Sequence, residues 1–143
     1  MSFLLDTNVV SELRRADKCH PNVANWQKRV APENSFISVI TVMEIRAGII
    51  SAHRTNPQFG IALERWYSDR VLPSFAGRIL AVDLLVAEKC GAILAGRSRP
   101  ITDTLIAATA AAHDLTLVTR NVSDFTDAGV HLLNPWTESS DHS

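Results

Sequence analysis

Four carboxylates in this 143-residue chain, Asp6, Glu44, Asp103 and Asp124, have the type and placement to do chemistry together. Three of them, Asp6, Glu44 and Asp124, follow short apolar runs that read as strands. In an open parallel α/β sheet, strand carboxyl ends face the crevice where ligands bind. Each acid also has an ordinary structural role available. Asp6 stands between a strand and a helix, where it would cap the helix. Thr41-Val42-Met43-Glu44 fits a capping box, with Glu44 bonding back to the Thr41 amide. Asp103 falls in a first helical turn, where the macrodipole favours an anion, and Asn121 to Asp124 resembles another helix start. Independent caps have no reason to converge on one crevice, whereas a metal site does. Carboxylates gathered there raise one another's proton affinity unless a cation compensates. Mg²⁺ and Mn²⁺ favour such oxygen ligands. A bound ion of that kind activates water and steadies phosphoryl oxygens, so phosphodiester hydrolysis is the expected reaction, with no nucleophilic Ser, Cys or His required.

The elements that must position these acids follow from hydrophobic pattern. Phe3-Leu4-Leu5 reads as a buried first strand, followed by a helix from about Thr7 to Arg14. A second helix contains Val23, Trp26 and Val30 and ends near Pro32; Ser35 to Ser38 is the second strand. A helix runs from about Val42 to Ser51, and Pro57 opens another that carries Ile61, Leu63 and Trp66. Arg78 to Val82 forms a third strand, with a helix from about Leu84 to Leu94 and a loop from Gly96 to Pro100. Thr102 to His113 is an Ala-rich helix, Leu115 to Val118 a fourth strand and Val130 to Leu133 a fifth. Strands joined through helices imply an α/β fold, with a mostly parallel sheet of about five strands covered on both faces. One domain over residues 1–136 and a polar tail over residues 137–143 are expected.

Composition narrows the class. At 46% hydrophobic and 20% charged residues, the chain has the profile of an ordinary globular domain. A formal net charge of −1 argues against a wholly basic nucleic-acid module. Of 14 basic residues 11 are Arg, whose planar fork of donors suits phosphate. Cys19 and Cys90 form no CxxC and no Cys/His spacing, so neither a zinc site nor a disulfide framework is indicated, and Cys90 reads as a core residue. The N-terminus is charged too soon for a signal peptide and no run is long enough to span a bilayer, so a cytoplasmic setting without membrane contact is expected.

The motifs resemble those of a known family. Leu5-Asp6-Thr7-Asn8, Ser38 to Glu44, Asp103 to Ala110 and Leu117 to Phe125, in this order and over nearly the whole chain, are similar to PIN-domain ribonucleases. The length and the closing Asn134-Pro135-Trp136 look most like VapC-type toxins, particularly their FitB-like branch. The resemblance implies a three-layer α/β/α sandwich, a homodimer, and Mg²⁺- or Mn²⁺-dependent hydrolysis of RNA leaving 3′-hydroxyl and 5′-phosphate ends. It also implies a cognate antitoxin, laying an apolar helix in a groove. By matching motifs, Asp6, Glu44, Asp103 and Asp124 correspond to the acidic metal-binding and catalytic quartet. Thr7 and Asn8 correspond to supporting residues after the first acid, and Thr119 and Asn121 to a polar pair that orders the last acid and its water. Thr104 stands where the family commonly has Ala, and is expected to add a hydroxyl beside Asp103.

Arg97 and Arg99, before Asp103, and Arg120, near Asp124, are candidate RNA-phosphate contacts. Trp26, Trp66 and Trp136 could stack on bases, but their apolar surroundings favour core packing. Gly48, one turn after Glu44, is expected to permit a close helix approach, with a dimer contact as one place for it. The helices around Val9-Val10-Leu13, Val23-Trp26 and Ile61-Leu63-Trp66 are candidate walls for the antitoxin groove. Competing functions are a PIN nuclease of RNA processing or DNA repair, an aspartyl-phosphate phosphatase, and a non-enzymatic binding module. The phosphatase needs a second Asp two residues after the first, where this chain has Asn8.

Overall fold

In the computed structural model, which describes residues 1–138, short strands alternate with helices from the first residues onward. β1 (Phe3–Leu5) leads into α1 (Thr7–Leu13) and α2 (Pro21–Arg29). β2 (Ser35–Ser38) is followed by α3 (Val39–Thr55) and α4 (Pro57–Trp66), which continues through a π turn at Tyr67–Val71 into the short α5 (Leu72–Ser74). β3 (Ile79–Leu80), α6 (Leu84–Leu94), α7 (Ile101–Ala112), β4 (Thr116–Val118) and β5 (Leu132–Leu133) complete the described part. Residues 139–143 of the expected tail lie outside the described residues.

The sheet is parallel throughout, in the order β3-β2-β1-β4-β5. Phe3 pairs with Ser35 on one side of β1, while Leu4 and Leu5 pair with Leu117 and Val118 on the other. Successive strand side chains point to opposite faces, and the core divides accordingly. Phe3, Leu5 and Val118 pack with Val9, Trp26, Ile45, Ile49 and Tyr67 on one face. Leu4 and Leu117 pack with Ile106, Ala107 and Ala110 on the other. The alanines of α7 bring that helix close to the sheet, and α6 covers it through Val86 and Cys90 against Ala108. The result is the three-layer α/β/α arrangement. The chain leaves β1 for β2 on one side and later crosses to β4 on the other, so the order reverses between β1 and β4, the place where such sheets bind ligands.

Several boundaries differ from expectation. α3 begins at Val39, three residues before the expected start, because Ser38 Oγ accepts from the Ile40 amide at 3.0 Å and takes the cap. β3 shrinks from the expected Arg78–Val82 to Ile79–Leu80, since as an edge strand it has only β2 to pair with. Within the chain, Gly48 has no atom within 4 Å of where a Cβ would stand, and the close helix approach lies at Gly60, where a Cβ would meet His53 of α3. Both cysteines are free, with Cys90 in the core as expected. Trp26 is also core, edge-to-face with Phe3 at 5.3 Å. Among the described residues, no helix is long and apolar enough to cross a membrane.

Candidate metal centre

Asp6 leaves β1 in extended conformation and does two things at once. Its Oδ1 accepts from the Thr7 amide at 2.8 Å, which caps α1. Its Oδ2 accepts from the Thr119 hydroxyl at 2.8 Å, across the gap where β1 and β4 part. Asn8 lies 3.4 Å from both Asp6 Oδ2 and Thr119 Oγ1, and its own side-chain oxygen faces the Arg120 amide at 3.4 Å. The Asn121 amide donates to Thr119 Oγ1 at 3.1 Å, fixing the hydroxyl that serves Asp6. Thr119 therefore orders the first acid, a contact not expected from the sequence. Asn121 meets the last acid through its carbonyl, which accepts from the Asp124 amide at 3.0 Å.

Glu44 lies on the second turn of α3, not directly after β2, and it forms no capping box. With Ser38 as cap, Thr41 is inside the helix, fully buried, and Glu44 turns instead towards α1. Its Oε1 accepts from the Thr7 hydroxyl at 2.7 Å. Thr7 thus holds Asp6 through its amide and Glu44 through its side chain. Asp103 occupies the first turn of α7 as expected. Asp124 sits in a 3₁₀ turn, Val122–Phe125, and its amide donates to the Asn121 carbonyl at 3.0 Å. The Thr104 hydroxyl is not offered to Asp103. It donates to the Pro100 carbonyl at 2.7 Å, one helical turn back.

Burial and neighbouring charge act together on Asp6 and Asp103. Burial, followed by the charges of Asp6 and Asp124, raises the proton affinity of Asp103. Asp6 is also raised, chiefly by burial; its bonds from Thr119 and Thr7 work against that, and the charge of Glu44 adds to it. Asp6 thus feels Glu44, and Asp103 feels both Asp6 and Asp124. Of the arginines expected nearby, Arg97 and Arg99 both pair with Asp127, Arg99 at 2.8 Å, and Arg99 and Asp127 line the same cleft as Asp103 and Asp124. Arg120 stacks its guanidinium over Trp136, 5.2 Å from the ring centroid.

This donor set fits a hard divalent cation. Carboxylates whose proton affinity is raised by burial and by one another, as for Asp6 and Asp103, are what such an ion neutralises. Among the described residues, no three His, Cys, Asp or Glu side chains form a ready-made cage. The arrangement suits an ion that takes one or two carboxylates and completes its shell with water and substrate oxygens. Beside Asp103 and Asp124 opens a cleft of about 440 Å³, lined also by Arg99, Ser123 and Asp127.

Two participants escaped sequence reading. Thr41, whose hydroxyl lies 3.0 Å from that of Thr7, was masked by its resemblance to a cap. Asp127 meets two arginines about 30 positions earlier, and no local spacing rule links them.

Residues 3–129 match the PIN domain. The chain is 38% identical over 139 residues to Toxin FitB of Neisseria gonorrhoeae, covering 94% of this chain and 98% of that protein. It is 36% identical over 141 residues to VapC ribonuclease Y4jK of Sinorhizobium fredii, covering 94% and 97%. Plasmid stability protein StbB of Pseudomonas syringae pv. tomato is 36% identical over 139 residues, covering 94% and 98%. Among solved structures, the crystal structure of FitAcB from Neisseria gonorrhoeae superposes with a TM-score of 0.86 at 37% identity, covering 95% of this chain and 99% of that one. With its fold and these relatives in agreement, the chain belongs to the PIN-domain family.

Proposed function

We propose that this protein is a metal-dependent endoribonuclease, acting in the cytoplasm as the toxin of a toxin–antitoxin pair. The observation that supports the reading is geometric: Thr7 holds Asp6 through its amide and Glu44 through its hydroxyl, and Asp103 and Asp124 line one cleft. PIN-domain ribonucleases depend on a divalent metal in general, and Mg²⁺ or Mn²⁺ is the ion this oxygen-rich set favours.

When bound, the ion supplies positive charge that activates water and stabilises phosphoryl oxygens. The protein's own groups do the rest. Asp6 and Asp103, burdened by burial and mutual repulsion when no cation is bound, gain most from binding one. Thr7, Asn8 and Thr119 hold Asp6 in a single orientation, so little reorganisation is needed as substrate arrives. Arg97 and Arg99, anchored on Asp127 at the rim of the cleft, and Arg120 beyond Asn8 supply phosphate contacts that position the RNA backbone without reading bases. Cleavage would leave 3′-hydroxyl and 5′-phosphate ends, as the family resemblance implies.

For the antitoxin, the surface offers a groove between α1, α2 and the α4–α5 segment. Leu13 and Trp66 run along clefts of about 190 and 410 Å³, with Val10 and Phe75 in the floor and Arg14, Arg65 and Arg70 on the rim. Val9 and Val23 are fully buried and belong to the core, so they are not groove walls. An apolar antitoxin helix fits this floor. The protein acts as a homodimer.

Sequencing RNA ends after expression of wild type and Asp103→Asn tests the reading. Wild type should produce new 5′-phosphate ends, and the variant, though folded, should produce none above background. A fully active Asp103→Asn protein would overturn the assignment.

A further inference from the structure

We propose that Thr41 is a positioning residue for Glu44, acting through Thr7 in a two-hydroxyl relay that fixes the carboxylate for metal. The inference rests on the reading of Asp6 and Glu44 as metal-holding acids. Thr7 Oγ1 stands 2.7 Å from Glu44 Oε1 and 3.0 Å from Thr41 Oγ1. A threonine hydroxyl has one proton to give, and an ionised carboxylate can only accept. The shorter, charge-assisted contact therefore takes the Thr7 proton. Thr41 must then donate to Thr7, so the chain runs in one direction: Thr41 hydroxyl to Thr7 hydroxyl to Glu44 carboxylate. Bonds arranged head to tail polarise and strengthen one another.

Burial gives this arrangement its force. Thr41 is 0% exposed. A hydroxyl buried so completely is costly unless bonded, and a valine of the same shape would fill the space without that cost. Glu44, by contrast, is only half-buried and has a long side chain with several rotamers to lose. Thr41 lies three positions before Glu44 on the same face of α3, while Thr7 opens α1. The relay thus stitches α3 to α1 beneath the acids. Because the Thr7 amide also holds Asp6 Oδ1, at 2.8 Å, the rotamer of Thr7 sets the spacing between two carboxylates. Fixing that rotamer is the part the geometry assigns to Thr41.

The test uses Thr41→Val, Thr41→Ser, Thr7→Val and, as reference, Glu44→Gln. Binding of Mn²⁺ to the purified protein without RNA is measured by calorimetry, alongside kcat and KM for RNA cleavage and the melting temperature. Losing a residue that orients a metal ligand commonly costs about 10- to 100-fold in metal affinity or activity. Thr41→Val should weaken Mn²⁺ binding about tenfold and lower kcat, with KM for RNA unchanged. Thr41→Ser should restore both, and adding Thr7→Val to Thr41→Val should cost little more than Thr7→Val alone. If Thr41→Val melts earlier yet binds Mn²⁺ as wild type does, while Glu44→Gln does not, Thr41 is packing only and the relay is refuted. If Glu44→Gln also binds Mn²⁺ normally, the underlying metal-site reading fails and the relay with it. Should Thr41→Val fail to fold, Thr7→Val against Thr41→Ser poses the same question, and normal Mn²⁺ affinity in Thr7→Val refutes the proposal.

Discussion

Asp103 bears opposing influences whose balance can be measured. Its place in the first turn of α7 favours a negative charge by about 0.3–1 kcal/mol. Burial and the charges of Asp6 and Asp124 outweigh this and raise its proton affinity. A group raised in this way contributes its full stability below its unfolded value and loses it as pH rises through the folded value. At neutral pH, without divalent ions, ionised Asp103 is therefore a cost. Asp103→Asn should melt higher than wild type there, by under about 1 kcal/mol because water screens a part-exposed site, which is under about 4 °C. Calorimetric melting at pH 7 in chelator checks this. The gap should narrow as pH falls into the carboxylate range, where protonation relieves the wild type by itself. Added Mn²⁺ should reverse the order, since the wild type gains more from binding. A variant that melts lower in chelator at pH 7 would mean that the charge of Asp103 stabilises the fold. Asp6, Glu44 and Asp124 were legible in the sequence through a local pattern, an acid after an apolar run, whereas Asp103 follows no such run and was singled out only by its resemblance to a family motif. What Thr119 and Thr41 bond to was not legible, since their partners lie 113 and 34 positions away.

At the scale of elements, local signals failed where two residues competed for one role. Ser38 and Thr41 both qualify as caps. Ser38 took the role, and the burial of Thr41 against Thr7 follows from tertiary packing that no window of sequence contains. The π turn at Tyr67–Val71 was equally hidden, because the apolar period runs through it unbroken. Glu12 shows how elements are joined. On the last turn of α1, it accepts from the His20 amide, the cap of α2, at 2.8 Å, with Arg15 beside it. The amide bond comes first among the causes that hold its carboxyl below the usual range. Stability from such a group is present above its unfolded value and lost as pH falls through the folded one. Glu12→Gln should thus lower stability by about 1 kcal/mol at pH 7, with the difference vanishing in acid; urea melts across that range read it out. The contact between α3 and α4 depends on Gly60. A Cβ there would stand 2.6 Å from His53 Nδ1 and 2.8 Å from the His53 main-chain nitrogen, and the main chain cannot swing aside. Gly60→Ala should cost about 1–3 kcal/mol as the helices are forced apart. Gly48→Ala, with open space and ordinary helical backbone, should gain about 0.5–1 kcal/mol in the same measurement.

For the molecule as a whole, the parallel sheet brings Asp6 and Thr119 from distant segments together, and the outer surface bears on whether one copy acts alone. α6 buries Val86 and Cys90 against α7, yet its first turn is apolar on the outward side as well. Leu84 is 77% exposed and Leu85 49%, with Val82 just before them at 38%. Burying one leucine stabilises by about 1.5–3 kcal/mol, so leaving two adjacent ones in water is a considerable loss unless something covers them. A second copy is the simplest cover, since a two-fold axis lets the same patch meet itself. Wild type should therefore sediment at twice the 15.7 kDa chain mass. Leu84→Lys, which places a charge at the centre of that contact, should sediment as a single chain. Its circular dichroism should stay unchanged, because a side chain so exposed contributes little to the protein's own core. A wild type that sediments as a single chain would show the patch uncovered and the dimer wrong. A dimer untouched by Leu84→Lys would move the contact elsewhere, with the exposed Met43 and Ile50 of α3 as the next surface to test.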